Sequence, residues 1–159
     1  MVGRHGEVTY PRNRPEVVYQ YVASVEHLLV RRNEDGATKA ASLSERTAVL
    51  LADDDTDQRR IADDLAKAYR IRNSVAHGGR NPAVDPEFPK VMRDHVRRVF
   101  ARLILLGPDF DPPRDLRQAL RSKGFRTQRI SERIRASLES IEKPTAGERP
   151  VWMPRSAAG

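Results

Sequence analysis

Cysteine is absent from the 159 residues, which removes disulfide scaffolds, thiolate metal sites and cysteine nucleophiles. No apolar run approaches the ~20 residues of a membrane-spanning helix. Residues Met1 to Arg14 lack the apolar stretch of a secretory signal. A cytoplasmic protein with no membrane partner is therefore expected. Strand signals are missing as well: no hairpin dipeptide flanked by apolar–polar alternation occurs, and no internal repeat. Aromatics make up only 6% of the chain. What is present is charge, 32% of residues, with 38% hydrophobic, enough for one domain with a core.

That charge is unevenly placed. Residues 1–89 hold 13 basic and 14 acidic side chains, residues 90–135 hold 13 and 5, and residues 136–159 hold three of each. Nearly all of the +7 excess thus falls in one quarter of the chain. Such a block attracts polyanions through phosphate neutralisation and counterion release. It equally suits solvated helix faces, unless something nearby can act on a phosphate.

Apolar residues recur at helical spacing along most of the chain. After a flexible lead-in (1–14), Pro15 opens a helix whose stripe is Val17, Val18, Tyr21, Val22, Val25, Leu28 and Leu29. Asn33 to Gly36 ends it. A second helix, about 38–52, turns Leu43, Thr47, Leu50 and Leu51 inward. The third carries Ile61, Leu65, Ala68, Tyr69, Arg72, Val75 and His77 and stops at Gly78-Gly79. A loop with three prolines, Asn81 to Pro89, leads to a fourth helix. This helix, about 90–106, is expected to bury Val91, Met92, Val96, Val99, Phe100, Leu103 and Ile104. Two short Arg-rich helices follow, about 114–122 and 126–141, and the tail 142–159, with three prolines and two glycines, is expected to be disordered. The fold expected is all-α, most simply an up-and-down four-helix bundle over 15–107 with a basic helical extension over 113–141.

Two metal readings fail on their residues. Asp53, Asp55, Asp57 and Asp64 match positions 1, 3, 5 and 12 of a calcium loop, but Gln58 stands where glycine must turn the chain. Capping of the third helix accounts for the run instead. No two histidines have ligand spacing on one helix, so no zinc site and no cofactor is expected. His5 lies in the lead-in, His27 points away from its helix's stripe, and His95 sits at a stripe edge.

His77 has different company: Tyr69-Arg70-Ile71-Arg72-Asn73-Ser74-Val75-Ala76-His77-Gly78. At 100° per residue Arg72 falls among Ile61, Leu65, Ala68 and Val75, while Arg70, Asn73 and His77 gather on the other side. An arginine inside an apolar stripe is costly unless a partner or an interface receives it. A snorkelling arginine and a histidine at the helix's negative end also fit.

Arg72-Asn73-x-x-x-His77 resembles the motif of HEPN domains. The stretch from Leu43-Ser-Glu-Arg-Thr-Ala-Val-Leu-Leu51 through Ala66-Lys-Ala-Tyr-Arg-Ile-Arg-Asn-Ser-Val-Ala-His-Gly-Gly79 is similar to the Apea-like HEPN group. So is the first helix from Tyr21 to Leu29, with Glu26 before His27; the resemblance covers about 16–106. It implies a helical bundle that dimerises with its motif helices at the interface. It also implies a metal-independent endoribonuclease of toxin–antitoxin or anti-phage defence systems, with RNA as substrate and an antitoxin or other defence protein as a candidate partner. Arg72 and His77 would then be catalytic and Asn73 supporting, with Arg70, separated from His77 by six residues, as the alternative arginine.

The basic block gains meaning beside such a site. Arg114, Arg117 and Arg121 share one helix face, as do Arg126, Arg129 and Arg133. Both faces are expected to contact RNA backbone. Phe125 is the block's one aromatic besides Phe100 and Phe110 further upstream, which argues against a base-stacking platform there. A non-catalytic HEPN module binding RNA or a protein, and a plain helical interaction domain, are the competing readings.

Overall fold

The computed structural model describes residues 13–78, 82–121 and 125–142, and among these all regular structure is α-helical. The helices are α1 (Arg14–Leu29), α2 (Gly36–Leu51), α3 (Asp55–Gly78), α4 (Phe88–Leu106), α5 (Pro112–Arg121) and α6 (Phe125–Glu142). The lead-in to residue 12 and the tail from 143 lie outside the described residues. No helix among the described residues is long and apolar enough to cross a membrane.

Local chemistry sets the helix ends. Pro15 lies in the first turn of α1 and Pro112-Pro113 open α5, where a missing N–H costs nothing. Asp35 caps α2, accepting from the Thr38 backbone N–H and hydroxyl, both at 2.8 Å. Within the aspartate run, Asp54 accepts from the Asp57 N–H at 2.8 Å, a capping contact at the start of α3. Gly107 ends α4 with φ +78°, a left-handed conformation that costs glycine nothing sterically.

One apolar core draws on all six helices: Val18, Val22 and Val25 of α1; Leu43, Leu50 and Leu51 of α2; Ile61 and Leu65 of α3; Met92 and Val99 of α4; Leu116 of α5; Ile130 and Ile134 of α6. Helix α3 packs on α1 and α2, α4 packs on α1 and α2, α5 rests on α2 and α6 on α4. Consecutive helices are not all neighbours, since α3 and α4 touch only slightly.

Helix α4 departs from its expected inward face. Met92, Val99 and Leu106 are buried, together with His95, but Phe100 is 45% exposed and Ile104 77% exposed. The helix is rotated toward the side that carries Arg98 and Arg102, and those two arginines explain the rotation. Arg98 donates to the Leu51 carbonyl at 2.8 Å and Arg102 to the Leu50 carbonyl at 2.6 Å, satisfying carbonyls that the end of α2 leaves unpaired. Arg102 also pairs with Asp53 at 3.0 Å. His95 is buried with Nε2 3.0 Å from Asp64 on α3.

A second polar knot joins α1, α2 and α5. Arg46, buried on α2, donates to the Leu29 carbonyl at 2.7 Å and to Glu34 at 2.9 Å. Glu34 also accepts from Ser42 at 2.7 Å, the Arg31 N–H at 3.2 Å and Arg117 at 3.2 Å. Burial alone would push the Glu34 carboxyl up; the Ser42, Arg46 and Arg31 hydrogen bonds and the Arg46 charge outweigh it and hold the pKa at about 2.

Candidate active site

The site is built on the last turns of α3. Burial along this helix ends at Ile71, and Ala76, His77 and Gly78 are exposed. Arg72, placed by periodicity on the apolar stripe, turns toward α1. Its Nη2 lies 3.6 Å from Glu26 Oε2, with both side chains mostly buried. Its guanidinium lies 5.4 Å from the centre of the Tyr69 ring and 6.0 Å from that of Tyr19. Nη1 donates to Asn73 Oδ1 at 3.1 Å. The arginine is thus received inside one chain, by an acid and two aromatic faces. Burial raises the Tyr69 phenol's pKa and the Glu26 charge adds to this, with Arg72 opposing, so Tyr69 is neutral near pH 7.

The fit is incomplete. At 3.6 Å the Arg72–Glu26 contact is too long for a hydrogen bond, and both Arg72 Nε and Glu26 Oε2 are buried with no hydrogen-bond partner. Beside them runs a groove of about 210 Å³ lined by Ala23, Glu26, His27, Val30, Arg31, Arg32, Lys39 and Arg72.

His77, Asn73 and Arg70 are all exposed, on the side of α3 that periodicity assigns them. His77 lies five positions after Arg72, about 140° around the helix and about 7.5 Å along it. Among the described residues no hydrogen bond or ion pair joins the two. One chain therefore holds Arg72 at a groove and His77 in the open, on diverging directions.

The arginines expected to contact RNA are divided. Arg114 pairs with its neighbour Asp115 at 2.8 Å and Arg117 is drawn inward to Glu34. Arg121 and Arg133 are exposed. The side chains of Arg126 and Arg129 lie outside the described residues. Part of the basic block is thus committed within the fold: Arg98 and Arg102 to the end of α2, Lys90 to Glu87 at 2.8 Å.

Sequence reasoning missed the groove and the partners of Arg72. One signal was available: Glu16 and Glu26 are the acids of α1, and Tyr19, Ala23 and Glu26 follow one another at i, i+4, i+7 along one face. An arginine on a facing stripe needs such an acid. Arg31, Arg32 and Lys39 left no signal, because they converge only where the α1–α2 connection folds back. Compared with protein-family models, curated proteins and solved structures, the chain matches none.

Proposed function

We propose that this protein is a HEPN-like, metal-independent endoribonuclease that works as a homodimer, with a role in toxin–antitoxin or anti-phage defence. The observation that carries the reading is Arg72 itself, held by Glu26 and two tyrosines at the edge of a cation-lined groove. It lies on the helix that presents His77 to solvent.

RNA brings its own nucleophile. The ribose 2′-oxygen bonds to phosphorus and the bond from phosphorus to the 5′-oxygen breaks, leaving a 2′,3′-cyclic phosphate and a 5′-hydroxyl. Imidazole, with an ordinary pKa near ~6.5, accepts the proton of the 2′-hydroxyl or returns one to the leaving oxygen near neutral pH. Guanidinium offsets the charge that builds on the phosphorane oxygens. Because Arg72 and His77 diverge within one chain, pairing of two motif helices would let one copy's histidine work beside the other copy's arginine. In such a pair one imidazole acts as base and the other as acid.

The test is incubation of the full chain with single-stranded RNA in EDTA, beside the 2′-deoxy strand and the His77→Ala, Arg72→Ala and Arg70→Ala variants. Expected are cleavage of RNA alone, and loss of cleavage in His77→Ala and Arg72→Ala. Cleavage that needs a divalent metal, or that a strict monomer sustains, overturns the mechanism. Full activity in Arg72→Ala with loss in Arg70→Ala overturns the assignment of the arginine. The divergence of the pair also favours a second reading, a non-catalytic HEPN module that binds RNA or a protein; binding without cleavage selects it.

A further inference from the structure

We infer that the groove between the end of α1 and the start of α2 is a phosphate subsite, holding one phosphodiester of a single-stranded nucleic acid backbone. That the strand held here is one the protein cleaves rests on the ribonuclease reading; the binding itself does not.

The groove is built for an anion. Arg31, Arg32, Lys39 and Arg72 bring four permanent positive charges to its lining, and Glu26 is the one acid there. Arg31 meets Asp111 only across an exposed 3.9 Å contact. Among the described residues, Arg32 and Lys39 have no acid within 4.0 Å. Like charges gathered around one concave space raise the local potential and favour an incoming anion. The volume of about 210 Å³ is several times the ~30 Å³ share of one water, enough for a phosphodiester group.

The second observation is the unfinished polar contact at the groove's edge. Arg72 Nε is buried with no acceptor, and the nearest acid stands beyond hydrogen-bond range of Nη2. A phosphate oxygen reaching the guanidinium would supply a charge-assisted bond that the chain itself leaves unmade. Glu26 opposes such an anion, so it sets a limit on affinity while it positions Arg72. Contacts of this kind read the backbone and not the bases, so binding would be salt-sensitive and tolerant of sequence.

The probe is a labelled 2′-deoxy decanucleotide, which lacks the 2′-hydroxyl and so separates binding from cleavage, followed by fluorescence anisotropy across salt concentrations. Reversing Arg32 and Lys39 together to glutamate is expected to weaken binding at least tenfold. It should also flatten the log–log salt dependence by about 0.7, the single-strand contribution of the one phosphate held there. Reversing Arg93 and Arg97 on α4, which matches the change in net charge away from the groove, should alter affinity by less than about threefold. Glu26→Gln, which preserves shape and leaves the cations in place, is expected to tighten binding several-fold. Absence of binding in the unmodified protein overturns the subsite. So does equal weakening by the α4 pair, or unchanged affinity in Glu26→Gln. RNA cleavage is followed in parallel. Groove-dependent binding with RNA left intact upholds the subsite and refutes the ribonuclease. Cleavage with binding indifferent to Arg32 and Lys39 does the reverse.

Discussion

Replacing Glu34 by glutamine keeps the side chain's shape and an acceptor for Ser42 while removing the charge that balances buried Arg46. The folded-state pKa of about 2 compares with 4.5 for the unperturbed carboxyl. At about 1.4 kcal/mol per pH unit, that gap amounts to about 3 kcal/mol of stability near neutral pH. The figure agrees with the ~3–5 kcal/mol typical of leaving one partner of a buried pair uncompensated. The sign follows from the depressed value: the contribution is complete above the unfolded carboxyl's pKa and disappears as pH falls through the folded one. Near pH 3 it should have shrunk to roughly half, about 1.5 kcal/mol. Urea unfolding of the parent and Glu34→Gln proteins at pH 7 and near pH 3 measures both gaps. A deficit below about 1 kcal/mol at pH 7, or one that does not narrow in acid, would refute the account of Glu34 as a buried, charge-balancing hub.

Two further substitutions test the packing. Leu116→Ala on α5 should cost about 2–5 kcal/mol in urea unfolding, because Leu116 is fully buried in the common core; a loss under about 1 kcal/mol would detach α5 from that core. Ile104→Ser on α4 should change stability by less than about 0.5 kcal/mol, since Ile104 is 77% exposed. A loss of core size there would restore the inward face that periodicity assigned to it.

Helix existence was legible because it depends on local signals. Pro15, Asp35, Asp54, the proline pair that opens α5 and Gly107 mark ends through backbone chemistry that each residue carries with it. The stripes of α1 and α2 were legible for the same reason: Val18, Val22, Val25, Leu43, Leu50 and Leu51 repeat every turn and are buried. On α4 the stripe is broad, running from Met92 round to Ile104, and periodicity could not tell which edge would be covered. Long-range bonds from Arg98 and Arg102 to the end of α2 settled it.

The candidate site divides the same way. Spacing alone placed Arg72 on the apolar side of α3 and His77, Asn73 and Arg70 on the other, because a helix fixes angles between residues of one segment. Composition alone located the surplus of positive charge in residues 90–135. Only the tertiary structure paired Arg72 with Glu26 and Tyr19, drew Arg117 to Glu34, and gathered Arg31, Arg32 and Lys39 into a groove. Those contacts join residues far apart in the chain or on different elements. Their energies depend on distance and burial, which exist only once the helices have packed.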